Sequence, residues 1–231
     1  MLTRFGPDIW ITDGPVVTAA AGFHYPTRMA VIRLRNRDLA LWSPVALSND
    51  LRKEVESLGR VRYVIAPNSF HHTFLGDWHH AFPQAGVLAP PGLREKCPEI
   101  AFSGELGTIS LPGWDGEIDV AVIRGNRITT EAVFFHRASR TAIFTDLLQQ
   151  FPAGWFVGWR AVIARLDLMS RPEPSVPRKF RLAFTNRRAA REAIRKVLEW
   201  PVERVLIAHG TPVTENAQAF LQRSFRWLLR P

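Results

Sequence analysis

Between Val61 and Pro83 the chain reads VRYVIAPNSFHHTFLGDWHHAFP, and its hydrophobic period changes partway through. Val61–Ala66 is β-branched and aromatic, the composition of a strand, and Pro67-Asn68 breaks it. His71–Phe82 then takes helical spacing, with Phe74, Trp78 and Phe82 on one face. The segment carries His71, His72, His79 and His80, four of the seven histidines in the chain. A strand that runs into paired histidines at a helix entrance calls for a sheet whose strand ends open on a binding crevice.

Two further apolar runs stop at metal-ligating residue types. Thr141–Thr145 (TAIFT) leads to Asp146, and Val202–Ala208 (VERVLIA) leads to His209-Gly210. Neutral imidazole and ionised carboxylate both donate lone pairs, and two or three histidines with one carboxylate suit zinc, iron or manganese. His71 and His72 are adjacent and face different sides, so the sequence leaves open which of them reaches a shared site. Asp146 alone also reads as a helix N-cap. His79 and His80 read as surface or packing residues, and His24 and His136 as structural.

The remaining pattern supplies the scaffold. Asp8–Asp13 alternates like a strand up to the turn signal Gly14-Pro15, and Met29–Leu34 with Leu39–Trp42 reads as a hairpin. Ser48 caps a helix through Leu58. Gly86–Ala89 is a short strand, Pro90-Pro91 opens a small helix to Cys97, and Thr108–Leu111 reads as an edge strand. Ile118–Ile123, Ala132–Phe135 and Thr141–Thr145 follow as successive strands, with Asp146 ending the last. Leu147 to Met169 is helical in part, and Asn186–Trp200 and Glu215–Leu229 are amphipathic helices. Antiparallel groups of strands with helices in both halves predict an α/β chain of two mixed sheets packed face to face and covered by helices.

At 231 residues, with 46% hydrophobic and 22% charged residues, the chain reads as one domain over 1–231. Its net charge of +9 is spread as arginines among acidic residues, with no long run of like charge, which reads as solvated surface rather than a nucleic-acid footprint. The single Cys97 cannot form an internal disulfide, the opening MLTRFGPDIW lacks a signal-peptide core, and no apolar run reaches membrane-span length. A cytoplasmic protein without a membrane partner is the expectation. No Walker-type loop or GxSxG motif is present.

DIWITDGP, MAVIRLRNRDLALWSPV, RVRYVIAPNSFHHTFLGDW, TAIFTDLLQ and RVLIAHGTPV, taken together and in this order, resemble the metallo-β-lactamase superfamily. GFHYPTRM, APNSFHHTFLGDW, EAVFFHRASRTAIFTDLLQ and VLIAHG more narrowly resemble an uncharacterised bacterial branch of it, a domain of unknown function. The resemblance implies a metallo-β-lactamase-like four-layer αββα sandwich. It implies Asp146 as a metal ligand and His209 as the last one, with His71 and His72 standing near the HxHxDH segment. Three departures go with it: Asn68 stands near the first His, Arg124–Glu131 has no His where the family places one, and Ser43-Pro44 replaces an Asp. These imply a reduced, mononuclear site of His71, His72, Asp146 and His209 holding one divalent metal, zinc foremost, with iron or manganese as alternatives. The implied activity is hydrolysis of a small-molecule substrate by activated water, with Asp146 and His72 assisting catalysis. The alternative is a degenerate, metal-free binding module, which is discriminated by whether these side chains converge.

Overall fold

The central strands split their side chains between two cores. In the computed structural model, which describes residues 1–108, 114 and 116–230, the first sheet has seven strands in the order β1-β2-β3-β4-β5-β6-β7. These are β1 (Thr3–Gly6), β2 (Ile9–Thr18), β3 (His24–Arg33), β4 (Asp38–Trp42), β5 (Arg60–Ile65), β6 (Gly86–Ala89) and β7 (Phe102–Glu105). The second sheet has β8 (Ile118–Ile123), β9 (Glu131–His136), β10 (Thr141–Gln149) and β11 (Arg204–His209), in the order β11-β10-β9-β8.

Side chains alternate between two cores along β3, β4 and β9. Ala30, Ile32, Ala40, Trp42 and Ile65 of the first sheet meet Ala132, Phe134, Ile143, Leu206 and Ala208 of the second in one buried cluster. Their neighbours Val31, Leu41 and Val64 point the other way, onto Leu51 and Val55 of α1 (Asn49–Leu58) and Leu75 and Trp78 of α2 (Leu75–Ala81). On the far side, Val133, Phe135, Ala142, Phe144, Val205 and Ile207 pack against α5 (Arg187–Glu199) and α6 (Ala217–Leu229). The result is the expected four-layer sandwich: helix, sheet, sheet, helix. Between β10 and α5 lie the short α3 (Trp159–Leu166) and α4 (Arg178–Ala183). Among the described residues no helix is long and apolar enough to cross a membrane.

Local chemistry explains most boundaries. Ser48 Oγ accepts the Leu51 N–H at 3.2 Å and starts α1, and Asn186 Oδ1 accepts that of Ala189 at 3.1 Å and starts α5.

Three expectations differ, and a fourth lies largely outside the described residues. Gly14-Pro15 is an irregularity inside β2, where the register with β3 shifts, rather than its end. The segment after Pro90-Pro91 forms turns and no helix, and the strand that follows is Phe102–Glu105. The predicted edge strand Thr108–Leu111 falls largely outside the described residues. The helix expected from His71 begins only at Leu75, because Asn68 first folds the chain into a turn: its Oδ1 accepts the N–H groups of Phe70 at 2.8 Å and His71 at 3.2 Å.

Candidate metal centre

β10 does not stop at Asp146 but continues to Gln149, which pairs with His209 of β11. Between Phe144 and Gln149 the register breaks, so this stretch of β10 leaves the regular ladder. The N–H groups of Thr145, Asp146 and Leu147 turn to the buried Glu131 carboxylate instead, at 2.9, 2.9 and 3.0 Å. Glu131 thereby anchors the irregular strand segment from the neighbouring strand. Burial, followed by the charge of Asp146, pushes its carboxyl up to about 7 against those backbone donors.

The irregular segment presents Asp146 to two imidazoles. Asp146 Oδ2 lies 3.3 Å from His71 Nε2, and Oδ1 lies 3.5 Å from His209 Nε2. The ligand atoms of His71, Asp146 and His209 all fall within 4.8 Å of one another. All three side chains are buried, with exposures of 6, 8 and 5%.

Each member is oriented from behind. Asn68 Nδ2 donates to Asp146 Oδ2 at 2.7 Å and Gln149 Nε2 donates to Oδ1 at 2.9 Å. His71 Nδ1 shares a hydrogen bond with Ser43 Oγ at 2.7 Å. His209 Nδ1 donates to the Pro26 carbonyl at 2.8 Å. Arg28 holds the end of β11 through the Ile207 and Gly210 carbonyls at 2.8 and 2.7 Å, while its other edge pairs with Asp13. Partners of this kind behind ligating side chains fix tautomer and ring plane.

The donor set fits a divalent cation. A carbonyl only accepts, so the His209 Nδ1 carries a proton and Nε2 is the nitrogen turned to the Asp146 carboxylate. Separations of 3.3 and 3.5 Å match ligands bonded at about 2 Å in a tetrahedral arrangement. Protonation favours the same reading. Burial pushes the His71 imidazole below its usual value, towards the neutral form, against the pull of Asp146. Burial also opposes charge on Asp146, but hydrogen bonds from His209 and His71 outweigh it and hold the carboxyl well below its usual range.

His72 is not part of this cluster. It faces away from the cavity, half-buried beside Lys96 and Glu99, with burial lowering its imidazole. Adjacent residues on the Asn68 turn diverge, so the ambiguity of the pair falls to His71. Asp77 and His80 are exposed on α2. His24 bonds the Trp155 carbonyl and His136 bonds Ser139, both as structural residues. Residues missed in the sequence are Ser43, Pro26 and Gln149. Ser43 is the one with a local signal: it stands at the family's Asp position and adopts a positive φ of 53°, strained for a non-glycine.

The cluster forms the floor of a cavity of about 460 Å³. Its walls are largely apolar, with Tyr25, Phe70, Phe74 and Phe180, and Lys179 contributes a cation. Lys179 Nζ lies 3.4 Å from both Tyr25 Oη and Asp167 Oδ2.

This architecture is that of the metallo-β-lactamases. The metallo-β-lactamase of Hirschia baltica is similar at TM-score 0.62 and 13% identity, over 100% of this chain and 98% of its own. FIM-1 from Pseudomonas aeruginosa, in a mono-zinc form, gives TM-score 0.63 and 8% identity over 100 and 96%. A putative diflavin flavoprotein from Nostoc sp. PCC 7120 gives 0.66 and 12% over 99 and 94%. These likenesses are of fold. No curated protein matches the sequence. Residues 8–155 match the family described as Domain of unknown function (DUF4336), and the chain belongs to that family.

Proposed function

We propose that this protein is a metal-dependent hydrolase that holds one divalent ion, zinc foremost, on His71, Asp146 and His209. The observation that carries this is the approach of three ligand atoms to within 4.8 Å, each side chain oriented from behind, on the floor of an open cavity. When bound, such an ion supplies Lewis acidity and makes water a nucleophile near neutral pH.

The chain's own residues supply the rest. Asn68 and Gln149 fix the Asp146 carboxylate in one rotamer, and its low proton affinity keeps it anionic. No other carboxylate lines the cavity among the described residues, so Asp146 is the fixed negative charge there. Phe70, Phe74, Tyr25 and Phe180 favour the apolar part of a small substrate and keep water from it, and Lys179 receives an anionic oxygen. An ester, amide, thioester or phosphoester fits these requirements. We take residues 1–231 as a single domain, working in a reducing compartment consistent with the lone buried Cys97.

A metal-free binding module is the second reading. It is favoured by Asn68, which stands near the family's first His and spends its amide on Thr145 and Asp146. Elemental analysis of protein purified without chelator separates the two. About one equivalent of metal, lost in His71→Ala, Asp146→Ala and His209→Ala, supports the hydrolase. Less than about a tenth of an equivalent, unchanged by those substitutions, overturns it.

A further inference from the structure

A second concavity, of about 510 Å³, lies between the loop around Arg171–Ser175 and α6. Arg171, Arg181, Arg223, Arg226 and Arg230 line it, with Glu173 as its one carboxylate. Glu173 is taken by Arg223 at 3.1 Å. Among the described residues the other four guanidiniums have no carboxylate within ion-pair distance. Like charges gathered in one concavity create a field that an anion relieves. We propose that this cleft is a binding site for a small, multiply charged phosphorylated anion.

The walls are set in advance for such a ligand. The loop is pinned by Gln149 and Ser175, which exchange backbone hydrogen bonds at 3.0 and 3.1 Å. Arg181 is held by Nε donating to the Val176 carbonyl at 2.8 Å and by its guanidinium lying 5.4 Å from the Trp227 ring centroid. Its remaining donors are free for a ligand. Trp227 also lines the cleft, and its buried indole N–H has no acceptor among the described residues. Planar guanidinium forks match phosphate oxygens two at a time, which a carboxylate-poor cleft with several forks can exploit at once. These five guanidiniums share one concavity of small-molecule size, which argues for a compact ligand over a long strand. Burial, and then repulsion from Arg171 and Arg178, makes the Arg181 charge harder to keep, a cost that a bound anion reduces.

Isothermal titration of the full chain with inorganic triphosphate, at about 0.15 M salt, tests the site. Saturable binding at one equivalent is expected. Arg226→Ala, an exposed position, should weaken it about tenfold, and adding Arg181→Ala should weaken it further. Arg52→Ala on α1, outside the cleft, should leave it unchanged. Adenosine triphosphate in parallel distinguishes the source: tighter binding than triphosphate identifies a nucleotide, and equal binding a free polyphosphate. The proposal is overturned by no saturable binding, by affinity indifferent to Arg226→Ala and the double variant, or by an oligonucleotide that outbinds triphosphate more strongly as it lengthens.

Discussion

His209 and His136 are both buried, and each closes an apolar strand of the same sheet: VLIAH in β11 and EAVFFH in β9. Their surroundings differ. His209 faces a carboxylate whose oxygen lies 3.5 Å away, with a carbonyl behind it. His136 bonds the Ser139 hydroxyl at 2.8 Å, and that hydroxyl passes on to Thr141. Burial lowers the His136 imidazole, which bonds a hydroxyl, whereas His209 shares an anion with His71. Strand direction separates them. β11 runs parallel to β10 and ends beside Gln149, whereas β9 runs antiparallel and ends beside Thr141, at the other end of the sheet.

The comparison breaks first on the carboxylate. Asp146→Ala should abolish metal retention, with a loss of affinity of more than about 100-fold and of any metal-dependent hydrolysis with it, since removing a ligand exceeds the effect of removing its supporting partner. His136→Gln should leave metal content at the wild-type value in the same elemental analysis. If the two variants lose metal alike, the distinction fails.

Acid should sharpen it next. Burial lowers His136 from 6.5 to about 4. Between those values the unfolded chain binds a proton that the folded chain refuses, so its contribution is full above the upper value and is lost as pH falls through the lower. The loss is about 3 kcal/mol. Urea titrations from pH 7 to 4 should show wild-type stability falling more steeply than that of His136→Gln.

Smaller effects follow from the supporting shell. Asn68→Ala should weaken metal binding about 10- to 100-fold while the protein stays folded, measured by competition with a chromophoric chelator. His72→Ala should change metal affinity less than about twofold in the same assay, since it lies outside the cluster. A loss like that of His71→Ala would return His72 to the site.

Much of the fold was legible because it rests on local repetition. The alternation in β3, β4, β9, β10 and β11 splits each strand between two cores, and this pattern alone calls for a sandwich. Ser48 and Asn186 announce their helices by capping chemistry. Pro90-Pro91 misled because helix-opening residues do not ensure a helix when the following residues close turns instead. The extension of β10 past Asp146 was hidden for a different reason: an apolar run shows where a strand can lie, and a break in its ladder depends on a carboxylate from another strand. Asn68 looked like a lost ligand because its role is played toward Asp146, 78 residues away.

The sequence by itself determined the layers, the residue types at three strand ends, and the absence of a full histidine set. These follow from side-chain period and chemistry, which neighbouring residues carry. The tertiary structure decided that His71 and not His72 turns inward, that Asn68 and Gln149 hold the Asp146 carboxylate, and that Glu131 supports the strand from behind. Each depends on strand direction, a register break or a long-range hydrogen bond. Such features arise only when distant segments pack, because a buried polar group takes whichever partner the fold brings within reach.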